Sequence, residues 1–123
     1  MDDLTSAPYW AGAAEGRLVL QKCGDCGRVR HYPQTMCPAC HSFALEHITA
    51  SGAGTVYSWT VCHHAFDAGL RDEVPYTLLT VDMAEGGRVL GRCAEDVAPS
   101  VGLPVQLAFE TRAGTPIPVF TIR

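Results

Sequence analysis

A basic surplus is the first thing this chain lacks. Its 123 residues carry nine lysines and arginines against thirteen aspartates and glutamates, a formal charge of −4. Proteins that grip phosphate backbones carry the opposite balance, and four metal-bound thiolates would make this chain more negative still. Nucleic acid is therefore disfavoured as a partner. Also missing is any apolar run approaching the eighteen residues that a membrane span needs, so no membrane partner is expected. The opening stretch from Met1 to Gly12 is acidic and holds no apolar core of a secretory leader. Internal repeats and low-complexity tracts are absent as well. These gaps point to the cytoplasm, where disulfides are rare and paired cysteines bind metal or do redox work.

What the chain does have is six cysteines, four of them in the segment CGDCGRVRHYPQTMCPAC from Cys23 to Cys40. Ten residues separate the two Cys-x-x-Cys pairs. A thioredoxin-type device needs one such pair ahead of a helix, and no helix-forming sequence follows Cys26. Two pairs in tandem fit tetrahedral coordination better, because each folds into a knuckle whose turn amides bond the thiolates. Gly27 suits the left-handed turn out of the first pair, and Pro38 presets a turn inside the second. Ten residues are enough for a short β-hairpin between the knuckles. The reading is a structural zinc site on Cys23, Cys26, Cys37 and Cys40, with iron in the same cage as its rival. A closed thiolate shell folds the protein and does not catalyse. Structural zinc supplies roughly 10–16 kcal/mol in small peptides, more than thirty residues gain from apolar burial.

Around the cysteines the pattern is mainly β. Tyr9 to Glu15 forms a short helix that ends at Gly16, and RLVLQKC is a strand delivering Cys23. RVRHYP gives a short strand interrupted by Pro33, and FALEHI is extended. After the turn signal Ser51–Gly54 comes a long strand from Thr55 to His63. YTLLTVDM, RVLGRC, VQLAFETR and PVFTIR follow, with AEGG as a hairpin turn, AEDVAPSVGLP as a helical or tight connector and AGTPI as a link. Five strands with an irregular connector before the fourth match a five-stranded OB-fold barrel. The expected organisation is an N-terminal helix and lead-in strand over residues 1–20, a zinc ribbon over 21–50 and an OB-fold over 51–123, with the modules joined near Gly54.

The stretch PYWAGAAEGRLVLQKCGDCGRVRHYPQTMCPAC, then GTVYSWTVCHH, then DVAPSVGLPVQLAFE and a closing PVFTI resemble one family closely. It is the family of zinc-ribbon, OB-fold proteins that accompany acyl-CoA enzymes, long labelled a domain of unknown function. The resemblance covers nearly the whole chain. Its most specific parts are the aromatic helix ahead of Gly16–Cys23 and the opening Gly-Thr-Val-Tyr-Ser of the long strand. It implies a short helix, a rubredoxin-like ribbon with the four cysteines as zinc ligands, and a C-terminal OB barrel. It further implies a non-catalytic accessory subunit of an acyl-CoA-processing, lipid-metabolism complex. That subunit would support a thiolase-fold partner, either a thiolase or an aldol-cleaving enzyme, in a hetero-oligomer and help form the tunnel for its CoA or acyl-CoA. Hydratase complexes are the alternative setting. No catalytic residue carries over, so the chain is not expected to be an enzyme alone.

Other residues carry weaker signals. Tyr9 and Trp10 either cap the chain's own core or anchor it to a partner. His63, His64 and Phe66 open a loop running to Pro75, whose length suits contact with a partner or substrate. Cys62 reads as a buried core thiol and Cys93 as a core or surface thiol. Arg71, Arg88, Arg92 and Arg112 are scattered and read first as surface residues, although guanidinium groups suit a CoA phosphate, and Arg28 and Arg30 flank the ribbon hairpin with a surface role equally open to them. Two other functional classes stay open on residues alone. A single-strand nucleic-acid binder needs a basic groove with stacking aromatics, and a rubredoxin-like electron carrier needs iron.

Overall fold

A computed structural model of the chain describes residues 6–63, 75–94, 98–112 and 114–123. The chain opens on helix α1 (Ala7–Ala14), with a proline in its first turn, where a missing N–H costs nothing. The helix stops where expected: Gly16 is left-handed at φ 78°, and the Gly16 and Arg17 amides return to the Ala13 and Gly12 carbonyls. Gly12 is there for close approach, since a Cβ would lie 2.4 Å from Val19 Cγ2.

Three strands then form a small sheet in the order β2-β1-β3, from β1 (Val19–Cys23), β2 (Val29–Arg30) and β3 (Leu45–Thr49). Both neighbours run antiparallel to β1, with Gln21 opposite Arg30 on one side and His47 on the other. The expected hairpin between the knuckles is not what forms. Among the described residues, the only strand between Cys26 and Cys37 is the two-residue β2, and it pairs backward onto β1 around the first knuckle. Pairing with β1 places the knuckle itself at the hairpin turn, so the ten-residue stretch needs no second strand.

Strands β4 (Ala53–Cys62), β5 (Tyr76–Met83), β6 (Arg88–Cys93), β7 (Pro104–Arg112) and β8 (Thr115–Ile122) close into a barrel ordered β4-β5-β6-β8-β7. All neighbours are antiparallel except β6 and β8, which pair in parallel at Arg92–Val119 and Cys93–Phe120. That is the five-stranded Greek-key barrel of an OB-fold. The segment read as a link before the last strand belongs partly to it, because β8 begins at Thr115. Pro116 and Pro118 are two residues apart, so their missing donors fall on one edge. The β7 ladder covers β8 throughout, whereas β6 reaches it only from Val119. Of the connector AEDVAPSVGLP, residues 95–97 lie outside the described residues. Its far end turns at Gly102 and bonds β4 through Gly102 N to Val56 O at 2.8 Å and Val56 N to Leu103 O at 3.0 Å.

Ribbon and barrel share one core. Leu18 and Leu20 from the β1 side lie fully buried among Val56, Leu79, Val81, Val89, Val105 and Phe120. No helix among the described residues is long and apolar enough to cross a membrane.

Candidate metal centre

The two knuckles are built alike. In the first, Cys23 ends β1, its amide donates to Arg28 O at 2.9 Å, and the Gly27 amide returns to Cys23 O at 3.0 Å. In the second, the Cys37 amide donates to Ser42 O at 2.9 Å and the His41 amide returns to Cys37 O at 2.8 Å. Each turn closes on a left-handed residue four positions after its first cysteine: Gly27 at φ 78° and His41 at φ 63°. His41 thus occupies the place that glycine fills in the first knuckle, and it meets a steric cost there that Gly27 avoids. That role escaped the sequence reading, although the equal four-residue spacing after Cys23 and Cys37 was a usable signal.

The knuckles face each other. Ser42 Oγ donates to Asp25 Oδ2 and accepts from the Ala44 amide at 2.9 Å, while the Gly24 amide bonds Ala44 O at 3.0 Å. These bonds tie the first turn to the chain leaving the second. As a result the Sγ atoms of Cys23, Cys26, Cys37 and Cys40 all lie within 4.8 Å of one another. Cys23–Cys40 and Cys26–Cys37 approach to 3.5 and 3.7 Å. A tetrahedral ion at a metal–sulfur distance of about 2.3 Å requires sulfur–sulfur edges of about 3.8 Å. The four thiols fit such an ion. All six cysteines are free thiols, so no disulfide competes for the ligands.

Electrostatics prepares two of the ligands. Backbone N–H groups of Cys26 and Asp25 hold the Cys23 thiol down at about 6. Those of Cys40, and secondarily Ala39, lower Cys37. The Ser42 amide favours the Cys40 thiolate too, but the neighbouring Cys23 sulfur and burial outweigh it and push Cys40 up to about 12. Four adjacent thiolates repel, so without a cation the set keeps protons, and metal binding must displace them. Cys23 and Cys37 are buried, whereas Cys26 and Cys40 lie at the surface. With all four sulfurs engaged, a tetrahedral ion has no open position for water or substrate.

Behind the centre lies a buried polar brace. Gln21 Oε1 accepts from Arg30 Nε at 2.8 Å and from the Gln34 amide at 2.9 Å, and Arg30 Nη2 donates to Gln34 O at 3.2 Å. Arg30 is only 6% exposed, so of the two roles open to it the surface one is excluded, while Arg28 is exposed. Pairing of β1 with β2 sets Arg30 directly opposite Gln21, and no sequence pattern announces that. Next to the brace, Tyr9 meets His31 at 5.2 Å, Trp10 at 5.0 Å and Phe109 at 6.3 Å between ring centroids. His31 also stacks on Tyr32 at 4.6 Å. Burial pushes the His31 imidazole down to about 4.

Tyr9 therefore packs on the chain's own core, and Trp10 beside it is half-buried. His63 is exposed just past the end of β4, and Cys62 and Cys93 are half-buried. Neither cysteine belongs to the four-sulfur cluster. His64, Phe66 and Arg71 lie outside the described residues. Arg92 stacks over Tyr76 at 4.3 Å to the ring centroid.

Comparison with known proteins agrees with this geometry. The model of the ChsH2 rubredoxin-like zinc ribbon domain matches residues 10–46, and that of the ChsH2 C-terminal OB-fold domain matches residues 47–110. The chain belongs to the ChsH2 zinc-ribbon and OB-fold family. A solved structure described as Ltp2-ChsH2(DUF35) aldolase superposes with a TM-score of 0.84 at 33% identity, over 98% of this chain and 96% of that one. Methanocaldococcus jannaschii has a similar DUF35 domain-containing scaffold protein, 31% identical over 97 residues that make up 75% of this chain and 67% of the relative. A probable enoyl-CoA hydratase alpha subunit of Thermomonospora curvata is 37% identical over 117 residues, which make up 91% of this chain. The match spans only 36% of the hydratase subunit's length. Relatives of this ChsH2-family chain are thus hydratase subunits and scaffold proteins, and its structural counterpart comes from an aldolase.

Proposed function

We propose that this chain is a non-catalytic accessory subunit of a hetero-oligomeric acyl-CoA enzyme, whose partner is a thiolase-fold enzyme that cleaves a carbon–carbon bond. The observation that carries the reading is the near-complete overlap with the Ltp2-ChsH2(DUF35) aldolase structure, over 98% of this chain and 96% of that one. The closed four-thiolate centre supports it, because a site of this kind holds a fold together and offers no place for a reaction. In this reading the ion is zinc, and the ribbon, barrel and lead-in segment divide at about residues 20 and 50. On the same reading the chain works in the cytoplasm, where thiols stay reduced and available to a metal, next to the CoA arm of the partner's substrate. Trp10 and His63, with His64 and Phe66 beyond, are the residues assigned to partner or substrate contact. Tyr57, Trp59 and Val61 are exposed at alternate positions of β4 ahead of His63 and add apolar area there.

A second reading, as part of an enoyl-CoA hydratase assembly, is favoured by the 37% identity to a hydratase alpha subunit. Co-expression decides between them. The zinc-loaded chain is purified with a thiolase-fold aldolase and, separately, with a hydratase beta-type chain, and each mixture is assayed on acyl-CoA substrates. The expected result is a stable complex with the aldolase, active only when both chains are present. Turnover of a thioester by this chain alone, or complex formation with the hydratase chain only, defeats the first reading.

A further inference from the structure

Between the ribbon and the barrel lies a groove of about 500 Å³, walled by the segment Arg28–His31 on one side and by Asp82, Gly87 and Arg88 on the other. Its volume is in the range of small-ligand sites. Its charge is unlike that of the rest of the molecule. Its lining residues include three arginines and one aspartate, a local formal surplus of two positive charges in a chain whose formal charge is −4, with the Arg30 guanidinium set behind the wall on Gln21 and Gln34. His31 adds nothing to that surplus at neutral pH, since burial keeps it uncharged.

Each arginine is in a different state. Arg88 is held from two sides: Nε donates to Asp82 Oδ1 at 2.7 Å, and the guanidinium lies over the Tyr57 ring, 3.6 Å from its centroid. Arg28 has no ion pair and no side-chain hydrogen bond among the described residues. Arg30 is the unusual one. It is buried, its Nε and Nη2 bond only neutral amide oxygens, and Nη1 has no hydrogen-bond partner. A buried cation without a counter-charge is costly, and its field is poorly screened by protein. The opposite wall is shaped for close approach. At Gly87, where φ is 81°, a Cβ would lie 3.2 Å from the His31 amide nitrogen and 3.4 Å from the Arg30 carbonyl carbon.

We infer that this groove is an anion-binding site that takes the phosphoryl group of a small phosphorylated ligand. A phosphate dianion balances the local surplus, and its several oxygens allow guanidinium groups on two walls to bind at once. A carboxylate offers half that charge. The lining arginines come from two short segments, Arg28–Arg30 and Arg88, a spacing that suits a small molecule better than a polymer backbone. All the lining residues belong to this chain, so phosphate binding can be tested without the partner proposed above.

The test is a titration of the zinc-loaded protein with inorganic phosphate at fixed ionic strength, followed by amide chemical shifts. Saturable shifts confined to Val29, His31, Gly87 and Arg88 are expected, with a dissociation constant on the order of 1 mM or tighter. Arg28→Ala and Arg88→Gln should each weaken binding about tenfold, and Arg28→Lys should restore part of the loss. Retained zinc in every variant separates lost binding from lost fold. Absence of saturable shifts, or wild-type affinity in Arg28→Ala, overturns the assignment. So does tighter binding of a single-stranded oligonucleotide with shifts spread across the barrel strands.

Discussion

Acid should destabilise this protein through His31, and the amount can be worked out. His31 is wedged between Tyr9 and Tyr32, and burial lowers its pKa from 6.5 to about 4. Above pH 6.5 the imidazole is neutral in both folded and unfolded chains and has no pH-dependent effect. As pH falls through 6.5 the unfolded chain takes up a proton that the folded chain refuses until about pH 4, so stability declines across that window. At about 1.4 kcal/mol per pH unit, the loss is about 2 kcal/mol at pH 5 and about 3 kcal/mol below pH 4. His31→Phe keeps a ring between the two tyrosines and cannot titrate. Urea unfolding of zinc-loaded wild type and variant at pH 7.5 and pH 5 isolates the effect, because proton uptake by the cysteines is common to both. Wild type should lose about 2 kcal/mol more than the variant between the two pH values. If the two proteins lose the same stability, His31 is not desolvated as the structure places it, and the packing of α1 on the ribbon must be revised.

Three other outcomes are expected. Stripping the metal with a chelator, or replacing Cys37 with serine, should abolish binding of one ion per chain and collapse the β1–β3 sheet, read by metal analysis and amide exchange. Acidification should release the metal as well, because protons compete for all four sulfurs; retention of the fold in a metal-free chain would contradict this. Leu20→Ala removes a side chain that the barrel core surrounds, and should cost about 2–5 kcal/mol. A single unfolding transition shifted as a whole would follow from the shared core, and two separate transitions would refute it. His41→Gly should stabilise the metal-loaded ribbon by up to about 1 kcal/mol by removing the left-handed cost at φ 63°, measured as a lower rate of metal loss to a chelator.

The four clustered cysteines were legible in the sequence because Cys-x-x-Cys is a local device. Its turn is made by neighbouring residues, and only the meeting of the two knuckles is long-range. The five barrel strands were legible for a similar reason, since alternation and turn residues mark each one within about ten positions. Positions that depend on pairing were not. Arg30 and Arg28 are two residues apart with the same side chain, yet one is buried under Gln21 and the other is in solvent. The difference comes from the register of β2 against β1, which no local pattern encodes. Strand β2 itself was read in the right place, but its pairing with β1 was not legible, because ten residues between knuckles allow a hairpin without requiring one.

Composition, spacing and turn residues by themselves thus determined the four-cysteine cluster, the β-rich class and the order of ribbon and barrel. Tertiary structure alone decided that Leu18 and Leu20 complete the barrel core. It alone set the hairpin turn at Gly86 and Gly87 against β2, and it alone left an arginine-walled groove between the modules. Local chemistry is written in neighbouring residues. Burial and charge environment depend on which distant segments come to lie side by side, and that is fixed only when the chain closes on itself.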